Sequence, residues 1–205
     1  MTRHTQFVIL SDSEGSRFIQ IMNLKLLSEK LKKEYPLPDT LLPGNGKSSA
    51  VLVVLYTRHR KPHVLLIQRS NHLRRHAGEI SFPGGFYEAD DTSLLDTALR
   101  ETREELDLNI PASQVTGLLP QVQTLTGIHI SPFITIIDQL PPCRRNPSEV
   151  QKVLEIPLLP LLSTHHREMG YPQKKQMVAY WHLEHRIWGA TAKILHRIRS
   201  LNSAH

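Results

Sequence analysis

The sequence predicts an α/β sandwich preceded by an amphipathic helix, and three observations lead there. Two β-branched apolar runs, Ser49–Tyr56 and His63–Gln68, flank a short turn through Lys61-Pro62 and read as buried strands. Residues 92–106 repeat apolar side chains at helical spacing. Further strand-like runs at 115–125, 129–138 and 177–187 are mixed with helical stretches near 158–166 and at 189–201, and strands mixed with a few helices build layered α/β architectures. At 205 residues and 40% hydrophobic, the chain suits one globular domain with a substantial core.

Taken in order, residues 16–35 read as the amphipathic helix. Phe18, Ile21, Met22, Leu24, Leu27, Leu31 and Tyr35 recur at helical spacings, Ser13 or Ser16 is placed to cap it, and Pro36 and Pro38 stop it. It packs on the domain that follows or on a partner chain. A Pro- and Gly-rich linker follows over 36–47. This divides the chain into an extension, 1–47, and a domain, 48–205. After the two buried strands, Glu79–Phe82 makes a short strand entering the turn at Gly84-Gly85. The helix of 92–106 comes next, with Thr92 or Asp91 as its cap. The runs 115–125 and 129–138 form two strands joined at Thr126-Gly127, and 141–148 is a loop.

The central helix carries the chemistry. At about 100° per residue, Leu95, Ala98, Leu99, Thr102 and Leu106 share an arc of roughly 100° that can be buried. Glu101, Glu104 and Glu105 share an adjoining arc, while Arg100 and Arg103 lie on the other side. Glu101 and Glu105, one turn apart, repel by a few tenths of a kcal/mol. A hard cation such as Mg²⁺ or Mn²⁺ reverses that sign, because it takes carboxylate oxygens as ligands. A lone Glu-Glu pair reads as solvated surface; the glycine turn upstream favours the metal reading.

The string runs Gly85, five residues, Asp91, eight residues, Arg100-Glu101, two residues, Glu104-Glu105, then Leu106 and Asp107. It resembles the signature of the Nudix hydrolases, with three departures: Asp91 for a Glu, one extra residue before Arg100, and Asp107 for a closing glycine. Upstream, Arg69, Ser70, Arg74, Gly78, Phe82, Pro83, Gly84 and Gly85 fit the extended motif of the coenzyme A diphosphatase branch. Ile67 departs from that motif, where a Thr is expected. The same branch commonly carries the extra residue and the Asp at position 91. Thr124-Leu125-Thr126-Gly127, Glu149-Val150 before Ile156-Pro157-Leu158, and Ile187 to Ala192 also fit. The resemblance spans about residues 48–200.

This resemblance implies a Nudix α/β/α sandwich with a mixed sheet. It implies metal-dependent hydrolysis of the pyrophosphate bond of coenzyme A or an acyl derivative, to 3′,5′-ADP and 4′-phosphopantetheine or its acyl form. Glu101, Glu104 and Glu105 are the implied ligands of Mg²⁺ or Mn²⁺. Gly84 and Gly85 form the tight turn, and Arg100 orients a carboxylate by a bidentate contact. The general base is Glu104, Glu105 or the loop acid Glu149. Arg69 and Arg74 are the candidates for the 3′-phosphate or pyrophosphate, with Phe82 beside them in the substrate-binding motif. The partner implied is a small nucleotide substrate, and the resemblance admits a homodimer.

Composition bounds the alternatives. One cysteine, Cys143, excludes an internal disulfide and fits a reducing compartment, so a cytoplasmic protein is expected. No apolar run approaches the ~20 residues of a membrane span. The net charge of +6 is scattered, with little aromatic interleaving, so nucleic acid is not expected as a partner. The twelve histidines show no zinc spacing. Three rivals stay open: another Nudix substrate such as ADP-ribose, a dinucleotide, a nucleoside triphosphate or an RNA cap; a non-catalytic nucleotide-binding module; and an RNA-binding surface, which predicts a steep salt dependence of RNA affinity.

Overall fold

A computed structural model describes residues 8–11, 17–20, 22–40, 44–169 and 176–203. Its centre is a mixed sheet. Strand β3 (Ser48–Arg58) pairs antiparallel with β4 (Lys61–Arg69) and parallel with β9 (His129–Ile137). Strand β10 (Val150–Pro157) adds to the outer edge of β4, and β7 (Val115–Leu118) to the outer edge of β9. Three short strands pair onto this frame: β5 (Ile80–Ser81) on β4, β6 (Gly84–Phe86) on β3, and β8 (Val122–Gln123) on β9.

Both faces of the sheet are covered, which is why the central strands read as unbroken apolar runs. Side chains alternate between the layers. Leu52, Val54, Leu65, Ile67 and Phe133 face helix α2 (Leu94–Leu106), meeting Leu95, Ala98 and Leu106. Val53, Leu55, Val64, Leu66 and Ile134 face the opposite layer. That layer is built from α1 (Leu24–Glu34), α3 (Leu158–Ser163) and α4 (Gly189–Ser203). Beside it, β11 (His166–Met169), β12 (Gln176–His182) and β13 (His185–Ile187) form an antiparallel three-stranded sheet. The architecture is the α/β/α sandwich with a mixed sheet that the sequence predicted. No helix among the described residues is long and apolar enough to cross a membrane.

Several elements differ from expectation, each for a physical reason. The helix expected over 16–35 is α1 alone. Arg17–Gln20 is instead strand β2, paired antiparallel with β1 (Val8–Ser11). Asn23 caps α1, its side chain accepting from Lys25 N at 2.9 Å; the expected caps Ser13 and Ser16 lie outside the described residues. Leu24, Leu27 and Leu31 pack into the domain core, so α1 lies on this domain. The cap of α2 is Ser93, accepting from Asp96 N at 3.2 Å, not Thr92 or Asp91. The run 115–125 breaks into β7 and β8 around Pro120, which has no N–H to donate. Strand β10 was missed because Lys152 and Glu155, on an edge strand, interrupt its apolar pattern. The helix near 158–166 ends at Ser163, and His166 starts β11. The run 177–187 is a hairpin whose turn uses Leu183 at φ 53, without the glycine or asparagine that marks such turns in sequence.

Candidate functional site

The site forms where the glycine turn, the middle of α2 and the loop before β10 meet. The glycines are there because nothing larger fits. Gly84 has φ 149, and a Cβ on it would run into Ala50 O and the Cα of Val51 on β3. A Cβ on Gly85 would run into the carboxylate of Glu101. Close packing brings the turn against α2, and Gly84 N then donates to Glu105 Oε2 at 3.0 Å.

Three acids converge. Glu101, Glu105 and Glu149 place carboxylate oxygens within 4.8 Å of one another. Glu149 is twelve residues beyond the end of β9 in the sequence, and its position depends on anchors. Asn146 N donates to Glu105 O at 2.8 Å, and Arg144 N to Leu106 O at 2.7 Å, so the proline-rich loop is tied to the end of α2. Ser70 N donates to Glu149 O at 2.8 Å, and Asn146 Nδ2 reaches Glu149 Oε1 at 3.3 Å.

Glu105 is 1% exposed. Burial pushes its carboxyl up to about 8, against the Gly84 N–H and the Arg69 guanidinium, while Glu101 and Glu149 push the same way as burial. The Arg69 contact is long, Nη1 to Oε1 at 3.4 Å, and does not offset the burial. Burial also raises Glu101, and Arg100 opposes it. Three crowded carboxylates, one of them enclosed, make an arrangement that a hard divalent cation relieves, and their donor set is all oxygen. The residues present therefore fit Mg²⁺ or Mn²⁺.

Arg100 organises the rim. Its Nε donates to Asp91 Oδ1 at 2.8 Å and its Nη2 to Asp91 Oδ2 at 3.1 Å, a bidentate clamp. Its Nη1 reaches Glu101 Oε1 and Glu104 Oε2, both at 3.0 Å. The helical wheel set Arg100 apart from the acids, but its long side chain folds back among them. Asp91 also accepts from Thr97 Oγ1 at 2.8 Å and Glu88 N at 3.0 Å. Burial acts to raise Asp91, and these hydrogen bonds, led by Arg100, overcome it and hold the carboxyl at about 2. The same bonds to Asp91 hold the Arg100 guanidinium protonated above its ordinary range. Asp107 caps α2 with φ 52, a left-handed conformation that glycine adopts freely and Asp tolerates.

The structure brings Glu101, Glu105, Glu149, Arg69, Gly84, Gly85 and Arg100 together. Glu104 stands outside the trio: its side chain is 48% exposed, and its contact is with Arg100. Arg74 is exposed in the loop between β4 and β5. Phe82, expected in the substrate site, is 2% exposed and packs in the core facing α3 and α4, so its ring has no surface for a ligand. The clamp residue Asp91, its partner Thr97 and the loop anchor Asn146 were not among the sequence's site residues. For Asp91 a signal existed in its place in the motif; for Asn146 there was none.

A model of the Nudix domain matches residues 46–180. The chain is 34% identical over 182 residues to a protein named uncharacterized Nudix hydrolase NudL from Photorhabdus laumondii, covering 87% of this chain and 97% of that one. It is 37% identical over 158 residues to the protein of the same name from Salmonella paratyphi B, covering 75% of this chain and 82% of the relative. Among solved structures, a MutT/nudix family protein from Enterococcus faecalis aligns with a TM-score of 0.53 at 18% identity, covering 87% of this chain and 70% of that chain. The MutT protein of Methanosarcina mazei aligns at 0.51 and 16% identity, covering 81% and 99%. With its glycine turn packed on an acid-bearing helix in this fold, the chain belongs to the Nudix hydrolases, pyrophosphohydrolases that act on nucleoside diphosphate derivatives.

Proposed function

We propose that the chain hydrolyses the diphosphate bond of coenzyme A or an acyl-coenzyme A, releasing 3′,5′-ADP and 4′-phosphopantetheine or its acyl form. One observation carries the reading. The segment Arg69 to Gly85, which resembles the coenzyme A diphosphatase motif, folds so that Arg69 at one end and Gly84 near the other contact the enclosed Glu105. Glu101 and Glu105 would hold Mg²⁺ or Mn²⁺, with Glu104 at the rim and Glu149 beside them. A bound divalent cation supplies charge neutralisation at the diphosphate and a water of lowered pKa. In this reading Glu149, on its anchored loop, accepts a proton from the attacking water. Arg69 is the first candidate for a phosphate: its side chain is 26% exposed, and its guanidinium meets Glu105 only through the long 3.4 Å contact. Arg74 is the second candidate for that anion. Arg100 positions Glu101 without touching substrate. With one cysteine, the protein suits the reducing cytoplasm.

A panel of coenzyme A, acetyl-coenzyme A, ADP-ribose, a dinucleoside polyphosphate and nucleoside triphosphates, each with Mg²⁺ and with Mn²⁺ and resolved by chromatography, tests this. The expected result is 3′,5′-ADP from the coenzyme A substrates at the highest kcat/KM. Faster turnover of ADP-ribose or a triphosphate, with coenzyme A intact, refutes it.

A further inference from the structure

The chain has two tryptophans, and both lie exposed on one small surface: Trp181 on β12 is 41% exposed and Trp188, just after β13, is 38% exposed. Tryptophan is a large apolar ring that folding usually hides, so two exposed together call for a partner. Arg186 joins them. It pairs directly with Trp181 across the β12–β13 ladder, and its guanidinium carbon lies 5.9 Å from the Trp188 ring centroid. Trp188 follows directly after β13, and the shared contact with Arg186 links it to Trp181. Indole faces and a guanidinium plane at this spacing suit one flat heteroaromatic ring.

The surface also connects to the carboxylates. Trp188 leads into α4, where Thr191 Oγ1 donates to Ile80 O on β5 at 3.1 Å. Four residues on from Ile80 is Gly84, whose N–H holds Glu105. That stretch spans at most ~14 Å even fully extended. We infer that Trp181, Arg186 and Trp188 form the base-recognition subsite of the enzyme, stacking the heteroaromatic base of the nucleotide whose diphosphate lies at Glu101, Glu105 and Glu149. This rests on the nucleotide-hydrolase reading but not on coenzyme A as the nucleotide.

Because both tryptophans sit here, intrinsic fluorescence reads the surface directly. Titration of the full chain with 3′,5′-ADP should quench it saturably, and ribose 5-phosphate, which lacks the base, should not. Trp188→Leu should remove part of the quench and raise KM for the hydrolysed nucleotide about 5–100-fold at nearly constant kcat, the range one stacked base contributes. Trp188→Phe, which keeps a ring, should recover most of that KM. Equal quenching by ribose 5-phosphate overturns the inference, as does an unchanged KM in the Trp181→Leu, Trp188→Leu double variant. Quenching by single-stranded RNA alone, or burial of both indoles in a dimer seen by sedimentation, assigns the surface to another partner and overturns it too. If wild type leaves coenzyme A intact but turns over another nucleotide, the substrate reading fails while these measurements on that nucleotide still test the subsite.

Discussion

Asp91→Asn tests the clamp that organises the acidic rim. The substitution keeps the shape but removes the charge that Arg100 grips at 2.8 and 3.1 Å. The Asp91 carboxyl falls from 3.8 to about 2 in the folded protein. At 1.36 kcal/mol per unit that is roughly 2 kcal/mol, and solvent screening at the rim leaves about 1–2 kcal/mol. The sign follows from linkage: a folded pKa below the unfolded one adds stability that is fully present above about pH 4 and lost as pH falls towards 2. Wild type should therefore be more stable than Asp91→Asn by about 1–2 kcal/mol at pH 7, a difference of about 2–8 °C in Tm for a chain of this size. The gap should shrink between pH 4 and pH 2. Urea titrations of both proteins from pH 5 to pH 2.5 measure it, and the difference removes every carboxylate the two share. The same guanidinium reaches Glu101 and Glu104 at 3.0 Å each, so kcat should also fall, by about 10–100-fold as when an orienting partner of a metal ligand is lost. Stability curves that stay parallel down to pH 2.5 refute the reasoning, because the carboxylate would then gain nothing from Arg100.

Glu149→Gln should lower kcat by about 10²–10⁴-fold if Glu149 takes the proton, with metal affinity measured by calorimetry close to normal; partial rescue by raised Mn²⁺ would make it a ligand, and an unchanged rate across pH would remove it from the site. Arg69→Ala should narrow the preference for coenzyme A over its 3′-dephospho form by about 10–100-fold, with Arg74→Ala as the parallel arm, and equal wild-type rates on the two substrates would remove the contact. Gly84→Ala should destabilise by about 1–3 kcal/mol or more, since alanine must take φ 149 against Ala50 and Val51, and a wild-type unfolding midpoint would show that the turn can give.

The layers and half of the site are legible in local spacing. Strands β3 and β4 are buried on both faces, so their apolar runs announce them, and α2 shows its buried stripe because helical spacing repeats locally. Gly84-Gly85 and the acids on α2 sit within 22 residues of one another, where spacing alone carries the chemistry. The amino-terminal hairpin escaped because Phe18 and Ile21 also fit the helical spacing that runs on into α1, and β10 because an edge strand needs charges on its open side. Which acids meet is set by the packing of segments distant in the chain. Residues 101 and 104 are both on the acid arc, yet the fold groups Glu101 with Glu105 and Glu149 and leaves Glu104 to Arg100. It also decided that Glu105 is enclosed, that Arg100 clamps Asp91, and that Trp181 and Trp188 share a surface. The reason is physical: periodicity records which side of each element is buried, whereas convergence depends on hydrogen bonds such as Asn146 N to Glu105 O, which join residues far apart in the chain.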